Sequence, residues 1–268
     1  MSYDATAKTL RCPYCGSERL EKKDDIRAIQ AQRVIPFRFD QAAAQATLRQ
    51  WLGRGFWRPS DLASAATIAN ISGVYVPYWV FSADVHTYWT ADSSVTPPGA
   101  RADWYPVTGE NRSSYSGLLV GASSVLSPQE TEAICPFDLG AAVDASSVDL
   151  DNAIVEQFTV PRKYARPLAR RGLEHSEERT CAERYLPRSH RNLKANIRIE
   201  QLRSEPILFP VWVMAYRYRD DLYRILINGQ TGTISGDAPF SKFKAFMVGS
   251  FVILAALVIV ILFALANR

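Results

Sequence analysis

A chain of 268 residues with 47% apolar side chains can bury one large or two ordinary cores, which excludes a disordered polymer. Its 31 basic and 27 acidic side chains leave a formal charge of only +4, so charge alone makes no case for nucleic acid. Four cysteines, at 12, 15, 135 and 181, are too few and too scattered for a secreted disulfide scaffold.

The amino terminus, "MSYDATAKTL", lacks the apolar core of a signal peptide. Next comes Cys12-Pro13-Tyr14-Cys15-Gly16, a tight turn that aims two thiolates at one point and lets the chain turn away at Gly16. Structural zinc takes four ligands, and Cys12 and Cys15 supply two. A redox pair would want a strand before it and a helix opening at the motif. Polar "SERLEKKDD" follows instead, so zinc is the preferred reading. Residues 1–30 are therefore expected to be a partial zinc-ribbon arm with Cys12 and Cys15 as metal ligands.

Residues 31–241 are expected to form a soluble body. "RAIQAQRVIPFRF" alternates into a short strand and ends at Asp40, an N-cap for "QAAAQATLRQWL", in which Ala44, Leu48, Trp51 and Leu52 line one face. Ser60 or Asp61 caps a second short helix, Gly73 breaks it, and the β-branched and aromatic residues from Val74 to Trp89 predict a strand. The turn residues of 91–115 predict a long hairpin tip or loop, after which "YSGLLVGASSVLS" alternates again. "SPQETEAI" reads as a capped turn of helix. From about Leu150 to Leu202 the pattern is helical and charged, broken by Pro161, Pro167 and Pro187, with strand left open for part of it. Within it, residues 162–198 carry eleven Arg or Lys, a basic face. "VWVMAYRYR" and "LYRILIN" flank a tight turn at Asp220 and Asp221, and "NGQTG" makes a second turn before "TISG".

Residues 77–80 and 210–213 share a Pro-x-Trp-Val start, 133 residues apart. Duplication of a helix-plus-hairpin unit, with halves of about 31–145 and 146–241, would explain this, as would a chance likeness of short apolar strands. The expected class is α+β: antiparallel sheets with helices packed on one side.

Residues 246–266 read "FMVGSFVILAALVIVILFALA", in which only Gly249 and Ser250 are not plainly apolar. At about 1.5 Å per residue such a helix matches a hydrocarbon core of about 30 Å, so one transmembrane helix is predicted. Lys242 and Lys244 before the span, against Arg268 after it, favour a body on the cytoplasmic side of the inner membrane. The missing signal peptide and the thiol pair point the same way. With two residues beyond the span, the chain reads as tail-anchored.

No nucleophile elbow, Walker loop, Rossmann glycine fingerprint or His-Glu-x-x-His helix occurs. His86, His175 and His190 are not spaced as metal ligands, and Asp220 and Asp221, adjacent at a hairpin, make poor acid–base partners. Cys135 and Cys181 read as buried or helix-face thiols. Trp51 and Trp79 read as core. Trp89 and Trp104 flank the long loop, where an exposed ring could serve a partner or a lipid headgroup surface. A non-enzyme is expected.

"DATAKTLRCPYCGS", "VIPFRFDQAAAQATLRQWL", "ISGVYVPYWVFSADV", "YSGLLVGASSVL" and "FPVWVMAYRYRDDLYRILINGQTGTISGDAP" together resemble a family of bacterial zinc-ribbon membrane proteins that carry a primosomal-helicase-like label. The most specific part is the Pro-x-Trp strand followed by Asn-Gly-Gln-Thr-Gly: Pro210, Trp212 and Asn228 to Gly232. In that family a first Cys-x-x-Cys precedes the second by roughly 15 to 20 residues. Cys12 and Cys15 resemble the second pair. Either the true start lies upstream, or the zinc site is completed by another chain in a homo-oligomer. The helicase label is not matched by any phosphate-binding loop. The resemblance implies instead a membrane-bound protein of unassigned chemistry, with relatives that look like adaptors for membrane-stress and membrane-remodelling partners. The leading expectation is a membrane adaptor or scaffold that binds a protein partner. The alternative is a membrane-tethered zinc-ribbon protein that binds nucleic acid through the basic face.

Overall fold

The computed structural model describes residues 29–99 and 101–266, so the expected zinc-ribbon arm with Cys12 and Cys15 lies outside the described residues. In chain order the elements are β1 (Arg33–Val34), α1 (Gln41–Leu52), α2 (Leu62–Ala65), β2 (Thr67–Ser93), β3 (Tyr105–Gly121), α3 (Pro128–Ile134), β4 (Val143–Asp144), β5 (Ile154–Val155), α4 (Arg162–Tyr185), β6 (His190–Tyr218), β7 (Asp221–Asn228), β8 (Ile234–Gly236) and α5 (Lys242–Ala266). Helix and sheet are mixed, as expected. The strands, however, form one sheet rather than several, and β1 runs parallel to β6 while β5 runs parallel to β2.

Two long strands organise the sheet. β2 has 27 residues and β6 has 29, and they pair antiparallel from Thr67 opposite Arg217 to Ser93 opposite His190. Gly73 therefore does not break a helix. It lies inside β2 opposite Trp212, and a Cβ there would stand 3.1 Å from the indole, so glycine makes room for the ring. Residues 190–202 are strand, not helix: Leu193, Ala195, Ile197 and Ile199 alternate inward between charged neighbours, a period of two that the charges obscured. Pro161, not Pro167, marks the start of α4; Pro167 sits inside that helix, where it removes one bond to the Lys163 carbonyl. The β6–β7 turn is Arg219-Asp220, one residue earlier than expected, with Tyr218 opposite Asp221 and Arg219 at φ 55°.

Capping works as the sequence implies at α1 and α3 but not at α2, where Asp61 makes no side-chain capping bond and accepts from the Tyr218 hydroxyl instead. Asp40 accepts a hydrogen bond from the Ala43 N–H at 2.9 Å, and Ser127 with Glu130 closes a capping box on α3. Burial separates two faces of the sheet. On one, Val76 and Tyr78 of β2 and Phe209 and Val211 of β6 pack with Ile134 of α3. On the other, α1 lays Ala44, Leu48 and Leu52 on Met214 and Tyr216, and α4 lays Ala165 and Ala169 on Trp79 and Phe81. Helices thus cover both faces, where the sequence suggested one.

Tyr75 opposite Pro210 and Pro77 opposite Leu208 straddle the pair Val76–Phe209, so a local two-fold axis there exchanges the two Pro-x-Trp-Val stretches. The exchange reaches well beyond the strands. Val34 lies beside Leu208 as Val155 lies beside Tyr75. The Ile35 N–H donates to the Leu208 carbonyl, and the Glu156 N–H to the Tyr75 carbonyl, both at 2.9 Å. Phe37 packs on Trp212 as Phe158 packs on Trp79. Each long helix bridges the two long strands: α1 packs on Ile68 and Ile71 of β2 as well as Met214 and Tyr216 of β6, and α4 on Ile197 of β6 as well as Ala83 and Val85 of β2.

Candidate functional site

The two-fold fails at the sheet edges. β7 carries β8 through the pairs Ile225–Gly236, Leu226–Ser235 and Ile227–Ile234, and the Asn228 N–H donates to the Thr233 carbonyl at 2.8 Å. β3 stands in the matching place beside β2, yet no further strand pairs with it among the described residues. The Ala122 N–H donates to the Pro77 carbonyl at 3.0 Å, just as the Gly229 N–H donates to Pro210 at 2.8 Å. Antiparallel alternation then turns the backbone of Leu118 and Val120 toward β2 and that of Leu119 and Gly121 outward. Among the described residues the outward groups of Leu119 and Gly121 meet no backbone partner.

Beside this edge a groove of about 990 Å³ runs between α3 and α4. Leu119, Leu126, Phe137, Leu139 and Leu168 make its wall chiefly apolar. Gly117 opens its upper end at a bulge, where Ser116 and Gly117 together face Ser82; at φ +83°, with Leu139 Cδ1 only 2.7 Å from a would-be Cβ, the position requires glycine. The polar groups are few. Thr131 Oγ1 is tied to the Tyr78 hydroxyl at 2.7 Å. Ser123, 7% exposed, has a buried Oγ with no hydrogen-bond partner among the described residues. Burial, helped by the charge of Glu132, pushes the Cys135 thiol up, which keeps it protonated and a poor nucleophile. The site thus combines an apolar wall, outward backbone groups at the edge of β3 and the unpaired Ser123 hydroxyl.

A second cluster ties α4 to the β2–β3 hairpin. Glu177 is fully buried and accepts hydrogen bonds from Thr87 Oγ1 at 2.5 Å, Tyr115 OH at 2.6 Å and Asn111 Nδ2 at 3.1 Å. Burial pushes its carboxyl up, but the donors, Ser113 included, outweigh it and hold the carboxyl below the ordinary glutamate range. Burial, reinforced by the bond to Glu177, pushes Tyr115 up to about 12. The cluster is closed by Tyr185, whose hydroxyl donates to Asn111 Oδ1 at 2.9 Å. With Glu177, Thr87 and Asn111 all buried, it acts as a clasp between α4 and the hairpin.

The residues singled out in the sequence are dispersed. His86 bonds Glu110 at 2.8 Å on an exposed strand, His175 lies on α4, and His190 begins β6 rather than lying in a helix. No group of three or more His, Cys, Asp or Glu that could hold a metal gathers among the described residues. Cys181 is buried in α4 and Cys135 half-buried after α3. Trp79 is core and donates its Nε1–H to the Val160 carbonyl at 2.9 Å; Trp51 is partly buried beneath the Arg58 guanidinium. Trp89 is not an exposed anchor: it is buried, stacked on Tyr185 at 5.5 Å, with Gly109 clearing space for its indole. Trp104 lies beneath Arg191. Exposed rings near the β2–β3 loop are instead Tyr88 and Tyr105, and a separate exposed group is formed by Phe56, Trp57, Phe240 and Phe243. Neither the groove nor Glu177 was singled out in the sequence.

Sheet, helices and α5 define a mixed α/β protein with, among the described residues, one helix long and apolar enough to cross a membrane. No family model matches the chain, and no solved structure matches it. It is similar to a protein of Bacillus subtilis (strain 168) described as "Uncharacterized protein YdjG", 23% identical over 224 residues. The likeness takes in 79% of this chain and 64% of that relative, so the chain spans less than two thirds of its length.

Proposed function

We propose that the chain is a membrane-anchored adaptor whose β3 edge captures an extended, apolar segment of a protein partner. The observation that carries this reading is the broken two-fold: Leu226 and Asn228 are occupied by the β8 segment, while Leu119 and Gly121 in the matching places face a groove. The partner segment takes the position at β3 that Ile234–Gly236 takes at β7. Main-chain bonds supply its affinity, and the apolar wall selects its side chains. The same correspondence supports descent of the two halves from one repeated unit. α5 places the body at a bilayer, where tethering raises the local concentration of the partner and makes a short contact sufficient. Lys242 and Lys244 beside the span favour the cytoplasmic face.

The test is a photo-crosslinking amino acid placed in the full-length chain at Leu168, which is 49% exposed on the groove wall, with Leu222 on β7, 51% exposed, as control. An adduct from position 168 alone, mapping to an extended segment of one partner and lost in Leu119→Pro, is the expected result. Proline removes the outward N–H without touching the β2 ladder. Equal adducts from both positions, or an adduct indifferent to Leu119→Pro, would dismiss the groove as the binding site.

A further inference from the structure

We infer that the loop joining α1 to α2, residues 53–61, is a second membrane contact: an interfacial collar whose rings enter the boundary between headgroups and acyl chains while Arg54 and Lys242 bind the phosphates of anionic phospholipids. This rests on α5 spanning the bilayer, as proposed above, and adds a lipid site on the folded body.

The loop is bound to the neck of α5 at three points. Trp57 stacks on Phe240 with ring centroids 5.6 Å apart and 21° between planes. The Ser241 N–H donates to the Trp57 carbonyl at 2.7 Å, and Lys244 Nζ donates to the Arg58 carbonyl at 2.8 Å. Residues 240–244 lead directly into the uncharged run that begins at Ala245, which puts them about one helical turn from the hydrocarbon. The three contacts therefore carry Phe56 and Trp57 to headgroup depth as well. Phe56 packs edge-on against Trp57 at 5.1 Å, and Gly55, at φ +110°, supplies the turn that presents both rings.

Phe56, Trp57, Phe240 and Phe243 are 64%, 44%, 59% and 72% exposed, an apolar patch too large to leave in water and already continuous with the span. Around it the basic groups Arg54, Arg58, Lys242 and Lys244 outnumber the carboxylates Asp61 and exposed Asp237. Arg54 and Lys242 are exposed at its rim, Arg58 is folded over the Trp51 ring at 3.6 Å, and Lys244 reaches across the loop. The nearby carboxylate of Asp61 is engaged by the Tyr218 hydroxyl at 2.9 Å. Aromatic rings, one of them the amphipathic indole of Trp57, beside cations at a bilayer surface are the chemistry of an anionic lipid interface, and α5 leaves lipid as the medium that covers them.

The full-length chain is reconstituted in phosphatidylcholine bilayers with and without phosphatidylglycerol, using lipids brominated near the top of the acyl chain. Subtracting the emission of Trp57→Phe isolates Trp57 from the other tryptophans. Shallow bromine is expected to quench that difference signal. Omitting phosphatidylglycerol, or combining Arg54→Ser with Lys242→Ser, is expected to reduce the quenching by about two-fold or more. Quenching that survives Trp57→Phe undiminished, or that ignores phosphatidylglycerol and the paired serines, overturns the collar. Alkaline carbonate separates the two readings: extracted protein refutes the span, whereas resistant protein with an unquenched Trp57 refutes the collar alone.

Discussion

Glu177 is the most demanding single residue of the body, a carboxylate with no solvent exposure that accepts from Thr87, Asn111 and Tyr115. Glu177→Leu strands Thr87, Tyr115 and Asn111 together, and the expected loss is on the order of 3 kcal/mol of unfolding free energy, measurable by denaturant titration. Because the folded carboxyl is held below its unfolded value, its contribution is complete above the ordinary glutamate range and disappears as pH falls through the depressed value. Stability measured against pH should therefore drop on the acid side, and the drop should flatten in Glu177→Leu. The residue was legible in principle. Ala165, Ala169, Leu173, Glu177 and Cys181 recur every four positions, so a carboxylate sits on an otherwise apolar stripe of α4. Leu119 and Gly121 give a second forecast at this scale: their amides should exchange with solvent quickly, while those of Leu226 and Asn228 exchange slowly, as read by hydrogen exchange. Equal protection at the two edges would mean that β3 is covered.

α1 followed from local rules. Asp40 caps it, and Ala44, Leu48 and Leu52 form the buried stripe. Leu48→Ala should cost roughly 2–5 kcal/mol, and Asp40→Ala about 1 kcal/mol, both checked by thermal or chemical unfolding. The strands were harder. β-branched and aromatic residues marked Val74 to Trp89 and a period of two marked Val211 to Tyr218, but the full spans, Thr67–Ser93 and His190–Tyr218, include polar outer ends that look helical or loop-like alone. Those ends are strand because they pair with each other, as with His86 opposite Arg198 and Thr87 opposite Ile197. Pairing between residues more than 100 positions apart leaves no local mark. The β3 edge is the extreme case, since its character depends on what fails to lie beside it.

α5 decides the behaviour of the whole molecule. Its 25 residues span about 37 Å, and Lys242–Ile259 has nothing buried against the body. The full chain should stay with membranes through alkaline carbonate and high salt, while a chain ending at Ser241 should move to the supernatant in fractionation. Retention of the shortened chain would require another anchor, and the collar would be the first candidate.

Periodicity, capping residues and one long uncharged run were enough to write down α1, α3, the β6–β7 hairpin and α5, because each is governed by contacts within a few residues. The Pro-x-Trp-Val echo hinted at two halves. Only the folded chain could reveal that α1 and α4 each bridge β2 and β6, that Glu177 meets its donors from β2 and β3, and that Phe56 and Trp57 stand at the root of α5. Sheet edges, buried polar clasps and surface patches are made by residues distant in sequence, and their free energy depends on closures that no local pattern encodes.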